Sequence, residues 1–259
     1  MKIRLDQLTS FEIIQLFKNK LKKIGLLLPV GCIEQHGPFL PLGCDIDISR
    51  KAAETLALKL EKSNNYYKAF VMPDFSYTPS PGAENTAGTI SVSFDFLGNG
   101  LIEIIKSAMK THWDFIAIIN SHAHNHGRII ETSIVGSSGI LGEKIPIVVI
   151  NLYEFINIAN NIGLNAGSHA GELEISLYHY YFSDYKFPEI SIKKNKLKER
   201  PKKIYGLEIM ERSYKGIISE NIPEINNAIS KSNEIGQLID SEVFKTFIDN
   251  LNIYYKNWI

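Results

Sequence analysis

Short apolar runs alternate with longer segments of helical periodicity along this chain of 259 residues. This alternation is typical of βαβ units, in which a helix carries the chain from one strand to a parallel neighbour. The first run, residues 24–30, is apolar almost throughout, as expected of a strand that is covered on both faces. The sequence therefore predicts an α/β fold around a mainly parallel sheet.

Four runs are predicted to be strands, at residues 24–30, 68–72, 115–120 and 145–151. Helical patterns lie at about residues 46–63, 94–111, 127–141, 152–162, 171–182 and 226–255. No linker, repeat or change of composition divides the chain, so we expect a single domain over residues 1–259. Residues 185–201 are rich in lysine and proline and are predicted to be an exposed excursion.

The charge balance and the length of the apolar runs limit the partners that we expect. The 28 basic residues equal the 28 acidic residues, which gives no electrostatic reason to expect nucleic acid or an anionic membrane. No secretory pattern follows Met1, and the apolar runs are too short to span a bilayer. We expect a cytoplasmic protein with a small-molecule substrate, in which Cys32 and Cys44 are reduced thiols that form neither a disulfide nor a dithiol metal site.

Polar side chains follow two of the predicted strands directly. Glu34 and His36 come after the first strand, Asp45 follows where a helix begins, and His122 and His124 come after the third strand. Ligands of open α/β sheets bind at the carboxyl ends of the strands, so these side chains are expected to face one crevice. Five of the seven histidines are candidates for this site: His36, His122, His124, His126 and His169.

The types and spacing of these residues indicate a metal site. Glu34 and His36 are separated by one residue, so in an extended loop both side chains leave the backbone on the same side. Glu-X-His alone is common and says little. Together with Asp45 and a second histidine-rich strand end, it indicates a site of carboxylate and imidazole ligands, which suits zinc, manganese or iron(II). An aspartate that bridges two cations would make this site dinuclear.

A third polar cluster surrounds the start of a predicted helix at residues 168–176. It contains His169, Glu172 and Glu174. Two residues along a helix turn the side-chain direction by about 200°, so the two glutamates cannot point the same way. Either one of them faces the site, or both are ordinary acidic residues of a helix N-terminus, where negative charge is favoured.

These clusters resemble the motifs of the creatininase family. Residues 28–37, Leu-Pro-Val-Gly-Cys-Ile-Glu-Gln-His-Gly, and residues 40–45, Leu-Pro-Leu-Gly-Cys-Asp, are similar to its Pro-Val-Gly-X-X-Glu-Gln-His-Gly run and the metal-binding aspartate that follows it. Further blocks match in the same order, and the resemblance spans about residues 7–240. The matching blocks are residues 88–89, 120–122 and 169–176, with a weaker match at 223–236.

The resemblance implies a three-layer α/β/α sandwich, a homo-oligomer that is often a hexamer, and two divalent metal ions per chain (zinc, manganese or iron). By position, it implies that Glu34 and His122 hold one metal, that His36 holds the other, and that Asp45 bridges them. His169 stands where the family places a histidine that shuttles protons beside the substrate. Glu174 would be a further ligand or a supporting carboxylate.

The chain departs from the family's pattern at three places. His124 stands where creatininase has a metal-binding glutamate and many relatives have glycine, and we predict it as a metal ligand. Tyr153 and Asn165 lie near the tryptophans that surround creatinine, and residues 83–89 form a shorter block than usual. Creatinine is therefore not the expected substrate.

The sequence thus predicts a metal-dependent amidohydrolase acting on a small molecule. A metal-bridging water would attack a non-peptide C–N bond, in a cyclic amide or a formamide, and His169 would protonate the departing nitrogen. Three alternatives remain open. They are a formamide deformylase of flavin or deazaflavin biosynthesis, a peptide-processing relative, and a non-catalytic oligomeric relative whose site has lapsed.

Overall fold

Four parallel strands form the central sheet in the part of the chain that the structure describes. The computed structural model describes residues 2–19, 21–63, 66–142, 144–166, 169–188 and 224–257. The strands are β1 (Lys23–Val30), β2 (Tyr67–Val71), β3 (Ile116–Asn120) and β4 (Ile147–Asn151), in the order β2-β1-β3-β4. Every pairing is parallel, and all four strands were predicted within two residues of their bounds.

Seven helices accompany the strands within the described residues. They are α1 (Ser10–Lys18), α2 (Cys44–Lys62), α3 (Phe94–Lys110), α4 (His126–Ser137), α5 (Ile156–Asn161), α6 (Glu172–Tyr181) and α7 (Ile225–Asn257). Among these described helices, none combines the length and the apolar character that crossing a bilayer requires. Of the exposed excursion predicted at residues 185–201, the part that begins at residue 189 lies outside the described residues.

Two helix predictions were too long, for identifiable reasons. The helix predicted to reach residue 141 ends at Ser137, because Gly139 and Gly142 have φ of +84° and +99°, a left-handed conformation that ends a helix. The helix predicted over 152–162 is divided into a 3₁₀ turn, Leu152–Phe155, and the short helix α5. The Asn151 side chain accepts a hydrogen bond from the Tyr153 backbone N–H and caps this turn.

Side chains alternate between the two faces of the sheet and define three layers. On β3, Ala117 and Ile119 pack with apolar residues of α2, α6 and α7, while Ile116 and Ile118 pack with residues of α3 and α4. Every residue of β3 is buried, as the continuous apolar run predicted. The α/β/α sandwich is therefore confirmed.

The carboxyl end of β1 lies very close to the start of α2. At Gly31, just after β1, an added Cβ would lie 2.5 Å from the backbone nitrogen of Ile46 in the first turn of α2. Only a residue without a side chain allows this approach. The contact brings Asp45 to the strand ends, where the loops after β1 and β3 also lie.

Candidate metal centre

Asp45 lies between two histidines. It sits in the first turn of α2 and is 1% exposed. Its Oδ1 is 3.2 Å from Nε2 of His36, and its Oδ2 is 2.9 Å from Nδ1 of His122. The backbone carbonyl of Asp45 accepts a hydrogen bond from the Ser121 hydroxyl. The two carboxylate oxygens therefore face two different imidazoles, the arrangement that a bridging carboxylate needs.

Backbone carbonyls fix the orientation of both imidazoles. Nδ1 of His36 is 3.0 Å from the carbonyl oxygen of Glu34, and Nε2 of His122 is 2.9 Å from that of Pro79. Because a carbonyl oxygen only accepts, these nitrogens carry hydrogen, and the other nitrogen of each ring faces Asp45. Metal-binding histidines are commonly held in this way.

A first donor group surrounds the inner nitrogen of His122. Glu34 Oε1 is 3.2 Å from His122 Nδ1, and Glu34 Oε2 accepts a hydrogen bond from the Ser80 hydroxyl. Cys32 Sγ lies 3.0 Å from Asp45 Oδ2 and 3.3 Å from His122 Nδ1. The ligand atoms of Cys32, Glu34, Asp45 and His122 all lie within 4.8 Å of one another. Both cysteines are free, as expected, and Cys32 lies within this donor group.

A second donor group consists of His36, Asp45 and Glu174. Glu174 Oε1 accepts a hydrogen bond from the Tyr153 hydroxyl, and Oε2 lies 4.0 Å from Nε2 of His36. Among the described residues, Oε2 of Glu174 has no hydrogen-bond partner although it is buried. A buried, unpaired carboxylate oxygen is costly unless a cation neutralises it. These residues therefore fit a second cation, which would share Asp45 with the first.

The structure separates the roles of the two glutamates on α6. Glu172 Oε2 accepts hydrogen bonds from the Asn165 backbone N–H at 2.9 Å and from Nδ2 of Asn227 at 3.1 Å. It is buried and connects α6 to its neighbours, whereas Glu174 faces His36. One glutamate therefore faces the site, as the helical geometry allowed, and the other has a structural role.

His169 lies at the rim of the donor groups. Its Nε2 donates to the carbonyl oxygen of Gln35 at 2.6 Å, and its Nδ1 is 3.5 Å from Oε1 of Glu34. Its side chain is 26% exposed. Its ring lies next to that of His36, with centroids 4.6 Å apart. The imidazole is therefore in contact with both the site and the solvent.

The geometry does not support His124 as a ligand. It is exposed, its ring centroid is 5.2 Å from that of His122, and it belongs to none of the donor groups formed by the described residues. His126 pairs with Glu154 at 3.5 Å instead. His124 was predicted as a ligand because it occupies the position of a metal-binding glutamate in creatininase, but here it belongs to a 3₁₀ turn, Ala123–Asn125, outside the donor groups of the described residues.

Three residues that position the ligands were not identified from the sequence. The Pro79 carbonyl oxygen accepts a hydrogen bond from His122, and the Ser80 hydroxyl donates one to Glu34. The Asn120 side chain donates to the carbonyl oxygen of His122 at 2.8 Å and accepts from its backbone N–H at 3.2 Å. Asn120 lies within a matched motif and could have been singled out. Residues 79–80 follow no predicted strand directly, so no spacing pointed to them.

Charges within the site strongly shift the pKa values of its members. Burial alone would lower the pKa of His36 and His122, but Asp45 and Glu34 outweigh it and raise the pKa of each to about 10. Burial opposes the ionised form of Asp45, yet the two histidines hold the pKa of its carboxyl well below the usual range. Without metal, both imidazoles are therefore protonated at neutral pH.

Metal binding is accordingly expected to strengthen as pH rises. Each cation must displace one imidazole proton, so its apparent affinity should rise by at least about tenfold per pH unit between about pH 6 and about pH 9. Above the pKa of about 10 the contribution of the imidazoles should level off. Titration against a chelator at three pH values, corrected for protonation of the chelator, measures this slope. An affinity independent of pH would show that the imidazoles are not ligands.

Comparison with known proteins identifies the family. The family model for creatininase, described as creatinine amidohydrolase, matches residues 6–221, and the chain belongs to this family. The resemblance inferred from the motifs is thereby confirmed.

Two relatives match part of the chain. It is 36% identical over 101 residues to a mycofactocin precursor peptide peptidase from Mycolicibacterium smegmatis, covering 39% of this chain and 40% of that protein. A protein of the same name from Mycobacterium tuberculosis is 31% identical over 109 residues, covering 40% and 43%. The match thus spans about two fifths of these relatives.

Solved structures share the fold along nearly the whole chain. A mutant creatininase complexed with creatine has a TM-score of 0.69 at 20% identity, covering 98% of this chain and 99% of that chain. A manganese creatininase has a TM-score of 0.70 at 19% identity, with the same coverage. A putative creatinine amidohydrolase from Bacteroides fragilis has a TM-score of 0.62 at 16% identity, covering 95% and 96%. At these identities the likeness concerns the fold.

Proposed function

We propose that this protein is a metal-dependent hydrolase that cleaves a C–N bond with two divalent cations. The observation that carries the proposal is the position of Asp45, whose two oxygens face His36 and His122 from opposite sides. The orphaned oxygen of Glu174 supports a second cation. When bound, such cations supply an activated water and polarise a carbonyl oxygen. Zinc and manganese forms of creatininase exist, and iron(II) suits the same ligands.

Cation binding and proton transfer are assigned to different residues of this chain. Glu34 and His122 would hold one cation, His36 and Glu174 the other, and Asp45 both. His169 keeps one ring nitrogen bonded to the Gln35 carbonyl and turns the other toward Glu34. From this position, the imidazole can take up a proton at Nδ1 and deliver it to a departing nitrogen, a task suited to a histidine near neutral pH.

Two substrate classes follow from different observations. The family supports a cyclic amide or a formamide of a small molecule. The partial matches to precursor peptide peptidases, at 36% and 31% identity over about two fifths of the chain, support a peptide instead. In either class the scissile bond joins a carbonyl carbon to nitrogen, which is what the proposed site would attack.

The test is a substrate panel with the metal-loaded protein. The panel contains lactams, a formylamino-pyrimidine, creatinine, and short peptides with free carboxyl termini. Ring opening of a lactam or of creatinine, release of formate, or cleavage of a peptide, lost with chelator and restored by zinc or manganese, would support the hydrolase. Release of formate would indicate the deformylase, and cleavage of peptides the peptide-processing enzyme. A protein that binds fewer than two metals per chain and cleaves no member of the panel would be the non-catalytic relative.

The two buried glutamates of α6 provide a matched pair of variants. Glu174→Gln should cost about 10- to 100-fold or more in affinity for the second cation, because it neutralises the orphaned oxygen. Glu172→Gln weakens the hydrogen bonds to Asn165 and Asn227 and should destabilise the fold by about 1–3 kcal/mol. Metal analysis after dialysis and thermal unfolding separate the two effects. Equal metal loss in both variants would contradict the role given to Glu174.

A further inference from the structure

We propose that Cys32 is a thiolate ligand of the cation held by Glu34, Asp45 and His122, and that it makes this position prefer zinc to manganese. The inference rests on the proposed metal centre and adds a ligand that carboxylates and imidazoles alone do not provide. It concerns a residue of the loop after β1, two positions before Glu34.

Four of the six distances between these donor atoms are close to those of a tetrahedral zinc site, and all six are within 4.8 Å. His122 Nδ1 lies 2.9 Å from Asp45 Oδ2, 3.2 Å from Glu34 Oε1 and 3.3 Å from Cys32 Sγ. Cys32 Sγ lies 3.0 Å from Asp45 Oδ2. With bonds of about 2.0 Å to nitrogen and oxygen and about 2.3 Å to sulfur, neighbouring ligands of zinc are about 3.3–3.5 Å apart. The observed spacings are only slightly shorter, so a small outward shift of each atom admits the ion.

Cys32 is not placed as a core residue. It is fully buried, but its sulfur contacts a carboxylate and an imidazole, and it belongs to neither apolar cluster of the described residues. Cys44 is buried to the same extent and does belong to one of those clusters, with Leu27 and Ile48. Of these two thiols, only Cys32 lies among possible metal ligands.

A thiolate ligand would release a proton when the cation binds and would change which metal this position prefers. When the cation binds, the S–H bond breaks, the proton leaves to solvent, and a sulfur electron pair forms the bond to the metal. Thiolates favour zinc and cobalt, whereas manganese prefers oxygen ligands. The first position should therefore differ from the second, whose protein ligands are two carboxylates and an imidazole.

Cobalt substitution of the full-length protein tests the inference directly. The protein is stripped of metal, reloaded with Co²⁺, and its bound cobalt and absorption spectrum are measured. We expect a thiolate-to-cobalt charge-transfer band in the near ultraviolet for the wild type and none for Cys32→Ser. In competition between equimolar Zn²⁺ and Mn²⁺, Cys32→Ser should lower the ratio of bound zinc to bound manganese about tenfold or more.

Cys44→Ala is the matched control and should keep both the band and the metal ratio. Bound cobalt without the band in the wild type would overturn the inference and leave the metal centre standing. Failure to bind cobalt would overturn both. An unchanged metal ratio in Cys32→Ser would overturn the selectivity. The wild-type spectrum decides ligation even if Cys32→Ser folds poorly, and Cys32→Ala then serves for the metal ratio.

Discussion

Asp45→Ala is expected to remove both metals and to lower turnover by at least about 1,000-fold, because metal catalysis supplies several kcal/mol of transition-state stabilisation. Asp45 belongs to both donor groups, so its loss weakens both positions at once. It would also leave the inner nitrogens of His36 and His122 without the carboxylate between them. Metal analysis after dialysis and kcat/KM on the best substrate measure the two effects.

Asp47→Ala is the control for this variant. Asp47 also lies in the first turn of α2, but it pairs with Arg50 at 3.0 Å and accepts from the Tyr178 hydroxyl at 3.4 Å. It should keep both metals and most of the activity, since its contacts lie outside the donor groups. Asp45→Ala with two bound metals, or with wild-type turnover, would contradict the bridging role.

His169→Ala is expected to lower kcat by about 10²- to 10⁴-fold, the usual contribution of a general acid or base, while both metals stay bound. The imidazole is held by the Gln35 carbonyl and reaches both the site and the solvent, as a proton carrier must. KM should change much less than kcat. Steady-state kinetics and metal analysis test these points together.

His126→Ala provides a comparison, because this histidine pairs with Glu154 and belongs to none of the donor groups of the described residues. It should retain wild-type kcat. Loss of a metal from His169→Ala would instead make His169 a ligand, since this residue forms a third possible donor group with Glu34 and His36. Unchanged kcat would remove it from the mechanism.

The sequence predicted the fold well because the sheet is covered on both sides. Burial of every residue in β3 requires a continuous apolar run, and such runs are visible without any knowledge of the contacts. The crevice was predictable for a related reason. The strands are parallel, so the polar residues after β1 and β3 had to emerge at the same edge.

The details of the ligand set were less predictable because they depend on contacts between distant segments. Helical geometry alone could not decide between Glu172 and Glu174, and only the family resemblance pointed to Glu174. The choice is set by the packing of α6 against residues such as Asn227. The sequence prediction placed His124 in the site because this residue occupies a ligand position of the creatininase pattern, and that pattern does not show the 3₁₀ turn formed here by Ala123–Asn125. It also left Cys32 out, since nothing in the spacing shows that its side chain turns toward Asp45.

The most direct measurement is a crystal structure of the metal-loaded protein with anomalous data at the metal absorption edge. The account predicts two peaks on either side of Asp45, separated by about 3.5–4 Å as in other two-metal sites. One peak should lie beside His122 and Glu34, and the other beside His36 and Glu174. A single peak, or peaks that do not contact Asp45, would contradict the dinuclear centre.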